Sequence, residues 1–420
     1  MFLDGLVNTA ALSSVAFFFV HCTILYFSIQ LFPLMYPNLY YLVDDLFGVK
    51  LNGLKLINSF GFFVAVAFVA SGYVLYLELK RKEALGHFTS KQESIIVGEP
   101  ASMSELITNF IFGYLFGYKI VGAFTVENAL NNTQDYILSL KGNMLAGLAL
   151  GILMLYLKWR EKNKEKLEKP KTINLTVWPH DRVGEVVLQA AFWGFLGAKI
   201  FHNLENIDDF VKDPIGSLIS FSGLTFYGGL ILATIGVIVY LKKHNIRIIH
   251  FADAMAPTML FAYAAGRIGC HMSGDGDWGI PNFAPKPFEW MPNWAWASTY
   301  PHNVINQGIP IPGCEGNFCN ELPVPVFPTT LYEIIITFIL FFIMWSFRKK
   351  ITQPGILTGI YLLFAGGERF FIEKIRVNNK YLSLPFQPTQ AELISTFLIF
   401  FGILFLIQSK RWFPKTIVQP

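Results

Sequence analysis

The sequence predicts an all-α polytopic membrane protein of about ten spans, and three observations carry that prediction. Hydrophobic residues make up 53% of the 420, with 41 Phe, while only 15% are charged, against roughly 25% in ordinary globular proteins. Apolar stretches recur at about the 20 residues needed to cross roughly 30 Å of hydrocarbon. Basic clusters punctuate them in alternate loops. Disordered, collagen-like and nucleic-acid-binding chains are excluded on the same grounds, because apolar content is high and the net charge is only +4.

Spans are expected near 12–36, 54–79, 103–124, 141–158, 184–204, 218–241, 248–270, 328–347, 355–376 and 389–408. The first has neither basic flanks nor a small-residue cleavage site, so it is read as a helix rather than a removed signal. Lys80, Arg81 and Lys82 form one basic group, and the run KWREKNKEKLEKPK over 158–171 a second. Lys242, Lys243 and Arg247 follow, then Arg348, Lys349 and Lys350, then Lys410, Arg411 and Lys415. Two spans separate each group from the next, so the basic loops and both chain ends are expected on the cytoplasmic side.

The intervening loops carry acids: Asp44 and Asp45, Glu127 and Asp135, and the group Glu205, Asp208, Asp209 and Asp213. The longest, an insertion over about 280–327, is rich in Pro, Trp and Asn. Cys314 and Cys319 lie within it on the oxidising side, where a disulfide is expected. Cys22 and Cys270 fall in or at spans and read as single thiols. Trp290, Trp294 and Trp296 suit a membrane interface. The hexapeptides LFGYKI (115–120) and FLGAKI (195–200) are alike, but six residues of glycine-rich apolar helix do not establish a repeat.

Ionisable side chains inside spans are costly unless paired or hydrated, so each is a candidate for function. Helix direction puts Arg267 near the outer end of its span, and Arg369, Glu373 and Arg376 at a similar level. Glu333 lies five residues past Pro328, about 7–8 Å down at 1.5 Å per residue. Tyr227, with Gly228 and Gly229, enters from the same side. Arg369, Glu373 and Arg376 stand at i, i+4 and i+7 and are expected to share one helix face, with Glu373 holding both guanidiniums. Planar guanidiniums match phosphate oxygens, so an anion clamp is the functional reading. The plainer alternative is interfacial arginines reaching to the surface, with the glutamates neutralising them.

The segment GRIGCHMSGDGDWG (266–279) follows. Its glycines allow close backbone approach to a ligand. Asp275, Asp277 and His271 invite comparison with a cation loop, but nothing else of a calcium loop follows, and no metal site is assigned.

Together with LTFYGGLI, FPTTLYE and GERFFIEKIR, all in matching order, this segment resembles the bacterial prolipoprotein diacylglyceryl transferase family. The likeness covers roughly 184–408, and 54–82 resembles the family's first helix. It implies transfer of diacylglycerol from phosphatidylglycerol to the lipobox cysteine thiol of a prolipoprotein, with release of glycerol phosphate. That is protein modification in lipoprotein biosynthesis, by a multi-pass enzyme of the bacterial inner membrane facing the periplasmic leaflet, with no cofactor. Arg267 would grip the lipid phosphate, with Gly228, Gly229, Gly279 and His271 also toward substrate. Arg369 and Arg376 would stabilise phosphate or thiolate, oriented by Glu373 and Glu333, and Asp275 would stand for the motif Glu.

The departures concern proton transfer. Tyr227 replaces the family histidine, Cys270 the motif Asn, and Phe327 and Thr330 a His and a Gln. Phe60 stands for a tyrosine of the first helix. His271, Asp275 and Tyr227 are the candidate bases. On this reading 1–53 is an extra helix and outer arm, 54–82 the first family-like span, 83–182 an inserted segment, and 183–420 the transferase core. A lipid or anion transporter and an inactive lipid-binding relative are the rival readings. A transporter would gather its charges at the midplane, and an inactive relative would not be expected to keep all five charged residues.

Overall fold

The computed structural model describes residues 35–130, 133–219, 225–314, 317–378, 380–381 and 386–414. The span expected over 12–36 lies almost wholly outside them. Among the described residues are nine long helices: α1 (Ser59–Ala84), α2 (Met103–Thr125), α3 (Met144–Glu165), α4 (Val183–Glu205), α5 (Phe226–Lys243), α6 (Ile248–Ser273), α7 (Thr329–Phe347), α8 (Ile356–Glu373) and α9 (Gln390–Trp412). Seven are long and apolar enough to cross a membrane. Among the described residues strands are few and short, so the chain is an all-α polytopic membrane protein.

The core is built around α6, the most buried of these spans, which packs on α1, α7 and α8. Glycines set the closest approaches. A Cβ on Gly269 would lie 3.0 Å from the Phe60 carbonyl of α1, and Gly359 of α8 meets Gly402 of α9 in the same way. Small residues let helices interlock where lipid supplies no hydrophobic drive. At the end carrying the Lys and Arg clusters, the basic end, buried ion pairs tie the core together. Glu78 of α1 holds Arg81 and Arg348. Asp253 of α6 accepts from the Gly355 and Thr358 amides at 2.9 and 3.0 Å, capping α8.

Two helical hairpins, α2–α3 and α4–α5, stand beside this core. Gly117 of α2 backs onto the Ala146 carbonyl, which a Cβ there would meet at 2.5 Å, and onto Leu150; Gly197 of α4 backs onto the Gly228 carbonyl and Leu232. A Cβ on Gly147 would lie 3.0 Å from the Tyr114 carbonyl, as one on Gly229 would lie 2.9 Å from that of Gly194. The Asn143 amide donates to Tyr118, as that of Thr225 does to Ala198. One set of contacts thus recurs, shifted by 80 residues in the first helix and 82 in the second. The hexapeptide likeness is one segment of a repeated hairpin, whose other equivalences are between backbones and small side chains that sequence comparison barely registers.

Gly228 and Gly229, expected toward substrate, are therefore occupied in packing α5 on α4. Gly228→Val would drive a side chain into Phe201 and the Gly197 carbonyl. We expect it to cost about 1–3 kcal/mol by overpacking, read as a lowered unfolding midpoint in detergent. An unchanged midpoint would contradict the contact.

The α2–α3 hairpin is framed by an antiparallel ribbon that the sequence reading did not anticipate. Strand β1 (Lys91–Val97) pairs with β2 (Lys171–Val177) from Lys91↔Val177 to Val97↔Lys171. Its signal was the β-branched content of both segments. Glu93 of β1 pairs with Arg182 and lies 3.8 Å from His244. At the hairpin's other end Thr133 donates to the Lys55 carbonyl at 3.2 Å, and Leu56 packs on Ala123, Ala129 and Tyr136.

The loop between α6 and α7 folds as a small cap around Met35, Trp278, Tyr300, Leu322 and Val326. It includes a two-rung ribbon, β3 (Ile309–Pro310) with β4 (Asn320–Glu321). The Cys314–Cys319 disulfide is formed, with Cα atoms 5.6 Å apart. Trp296 is tied in by its Nε1–H to the Ala284 carbonyl, whereas Trp290 is exposed.

Candidate active site

At the acidic end of the core the chain turns back on itself. Helix α6 stops at Gly274, whose φ of +61° suits glycine. The segment after it is clasped between the start of α7 and the end of α8. The Gly279 amide donates to the Phe327 carbonyl and that of Ile280 to Ile375, both at 2.9 Å. A Cβ on Gly279 would meet the Ile375 carbonyl at 2.5 Å. Gly279 therefore acts by permitting this clasp and setting the backbone of Arg376 opposite it, a packing role in place of the ligand contact expected.

That clasp changes how the charges are shared. Helix α8 ends at Glu373, so Arg376 leaves the helical face that i, i+4, i+7 spacing implied. The carboxylate holding the arginines is Glu333, fully buried one turn into α7. It lies 2.9 Å from Arg267 Nε, 3.2 Å from Arg369 Nη1 and 3.3 Å from Arg376 Nη1. The Tyr263 hydroxyl donates to it at 3.1 Å. Glu373 pairs with Arg369 at 3.2 Å and accepts from Asn378 at 2.7 Å. The expectation that Glu373 holds both arginines is thus corrected.

Asp277 completes the cluster and was not among the expected site residues. One oxygen pairs with Arg267, the other with Arg376 Nη2 at 2.5 Å. The Thr329 hydroxyl fixes its carbonyl at 2.7 Å. Burial would raise its pKa, but the two guanidiniums outweigh burial and hold it below the usual carboxylate range. Tyr263, one turn before Arg267, was also missed. Its ring lies under that guanidinium at 5.2 Å, and the i, i+4 spacing was the available signal.

Asp275 has the opposite environment. Burial first, and then the neighbouring Asp277 charge, push its carboxyl up to about 6. Cys270, Asp275 and Asp277 offer donor atoms within 4.8 Å of one another. Both Asp277 oxygens are engaged by arginine, so the trio reads as part of the ion network.

Two expected residues are placed differently. His271 is only 1% exposed; its Nδ1 lies 3.0 Å from Thr330 Oγ1, which in turn meets the Tyr300 hydroxyl at 3.3 Å. It supports the cap from beneath. Tyr227 is the second residue of α5, at the far end of a hairpin that joins the core near the basic end, through Val183, Val186, Tyr240 and Leu241. Its ring meets that of Phe226, and among the described residues no hydrogen bond or ion pair links it to the arginines.

Residues 142–408 match the family model for prolipoprotein diacylglyceryl transferase. The chain belongs to this family. Among similar proteins is the phosphatidylglycerol–prolipoprotein diacylglyceryl transferase of Leptospira interrogans, 28% identical over 221 residues, 47% of this chain and 62% of the relative. That of Chlorobaculum tepidum is 27% identical over 280 residues, covering 63% and 83%. That of Aeromonas hydrophila is 28% identical over 233 residues, covering 54% and 74%. The chain thus spans somewhat under two thirds of the Leptospira relative. The prolipoprotein diacylglyceryl transferase match begins within the tip of the α2–α3 hairpin and takes in the whole arginine cluster.

Proposed function

We propose that this protein transfers the diacylglyceryl group from phosphatidylglycerol to the lipobox cysteine of prolipoproteins at the periplasmic face of the bacterial inner membrane. The observation that carries the reading is the convergence of Arg267, Arg369 and Arg376 on buried Glu333, in a chain of this family. Three guanidiniums from two spans and a clasped loop form a donor surface at one end of the bundle. They remain 15, 22 and 8% exposed, so their free N–H groups are available to a phosphate.

The reaction needs a thiolate, a polarised C–O bond and a stabilised leaving group. The thiol proton passes to the Asp275 carboxylate, which near neutral pH is ionised yet basic enough to accept it. The sulfur attacks the diacylglyceryl carbon that bears the phosphate. An S–C bond forms, the C–O bond breaks, and glycerol phosphate leaves with the electron pair. Arg267, Arg369 and Arg376 stabilise charge on the departing phosphate and raise the thiolate fraction of the substrate. Glu333, Asp277 and Glu373 hold the guanidiniums in register, and Tyr263 supports Glu333 and Arg267.

The test is transfer to a lipobox peptide by purified protein with phosphatidylglycerol, the thioether product read by mass. Arg369→Lys keeps the charge but loses the planar fork. We expect a loss of at least about 10²-fold, the scale of removing one preorganised donor, with membrane insertion intact. Near-normal transfer by that variant would sink the clamp.

A further inference from the structure

A second concave site lies at the basic end, where the arginine cluster does not reach. Arg247 immediately precedes α6 and makes no ion pair among the described residues. With His250, Trp412 and Phe413 it lines a pocket of about 240 Å³. That is smaller than the roughly 300–1,000 Å³ of drug-sized sites and suits a headgroup. His250 is 94% buried, being 6% exposed. Its ring stacks on His87 at 4.8 Å and meets the edge of Phe88, but it makes no hydrogen bond among the described residues.

The surroundings are positive. Arg81 and Arg348 are matched by Glu78, and Lys82 by Asp253 at 3.9 Å, but among the described residues no carboxylate lines the pocket. Burial, and then Lys82 and Arg81 with a contribution from Arg247, push the His87 imidazole below its ordinary value. The N-terminus of α6, 26 residues long, opens here without a side-chain cap, leaving amide donors and the positive helix end toward the same space. Trp412 closes the side nearest the last turn of α9, in a position typical of the membrane–water interface.

We propose that this pocket binds the phosphate of an anionic phospholipid from the leaflet at the basic end. Arg247 takes two phosphate oxygens, His250 and the first amides of α6 supply further donors, and Trp412 and Phe413 lie against the glycerol backbone. Basic pockets between spans are suited to such headgroups, and a helix N-terminus is suited to a phosphate. The site lies at the opposite end of α6 from Arg267, so it is separate from the transfer chemistry.

The experiment uses the full chain in phosphatidylcholine nanodiscs doped with phosphatidic acid, with bound lipid counted by native mass spectrometry and the unfolding midpoint recorded. We expect the natural protein to retain one phosphatidic acid more than Arg247→Gln, and Arg267→Ala, which weakens the phosphate site at the acidic end, to retain the lipid at this pocket at least tenfold more tightly than the same variant carrying Arg247→Gln; the transfer activity of Arg247→Gln in neutral detergent is unchanged. Arg247→Lys, the fallback if Arg247→Gln does not fold, is expected to retain the lipid at an intermediate level. Retention by Arg247→Gln, or by Arg247→Lys in the fallback, equal to that of the natural protein overturns the site. Protection by millimolar inorganic phosphate equal to that by phosphatidic acid overturns the lipid assignment in favour of a soluble phosphoryl ligand.

Discussion

Glutamine in place of Glu333 is expected to cut transfer by at least about 10³-fold and to destabilise the protein by roughly 3–5 kcal/mol. Glu333 is fully buried and is the carboxylate that Arg267, Arg369 and Arg376 share. Removing its charge leaves three guanidiniums repelling one another around a neutral amide, and breaking a buried ion pair from one side is typically worth that much stability. The catalytic loss is expected to exceed that of a single donor, because all three arginines lose their common anchor. Initial rates on the lipobox peptide and the unfolding midpoint measure the two effects. A variant with a lowered midpoint but near-normal rates would make Glu333 a structural residue only.

Asp275→Asn is expected to separate activity from stability. The Asp275 carboxyl titrates near 6 in the folded protein, against 3.8 ordinarily, chiefly through burial and then through Asp277. As the proton acceptor it must be ionised, so transfer should rise through pH 6 and level off above it. Asp275→Asn should abolish that limb and lower the plateau by about 10²–10⁴-fold. The linkage runs the other way. A carboxyl whose folded pKa is raised favours the folded state while protonated, and that advantage is lost as pH climbs from about 4 to 6. Asn carries no charge to bury, so at pH 7 the variant should be more stable, by up to ~3 kcal/mol. Its side-chain oxygen can still accept from the Asp277 amide, as Asp275 does at 3.3 Å. A pH profile identical to that of the natural protein would remove Asp275 from the proton transfer.

Much of this was legible in the sequence, for physical reasons. Span lengths and charge alternation are imposed by the bilayer, and Arg267, Glu333, Arg369 and Arg376 stood out because ions are costly in hydrocarbon. Cys314 and Cys319 were legible because both fall in a loop expected on the oxidising side of the membrane. What failed depended on where the chain stops being regular. Glu373 was assigned a role that needed α8 to continue past it; the helix ends there, and Glu333 from another span takes over. Asp277 looked like one more acid in a glycine-rich loop until the clasp between α7 and α8 carried it between two arginines. Tyr227, Gly228 and Gly229 lay at the expected level, but level does not fix lateral position. Their hairpin joins the core at its other end, and the glycines are consumed by helix contact.

The ribbon of β1 and β2 has a consequence of its own. Val97 and Lys171 face each other on its last rung, so the chain departs for the α2–α3 hairpin and returns at neighbouring points. Such a neck behaves as a socket. A membrane hairpin of other length or lineage could be plugged in above it, or the strands joined by a tight turn, without shifting the register of α4 or disturbing Arg182 beside it. The neck would be the natural splice point for swapping the hairpin, whose far end would have to keep its contacts with Lys55 and Leu56.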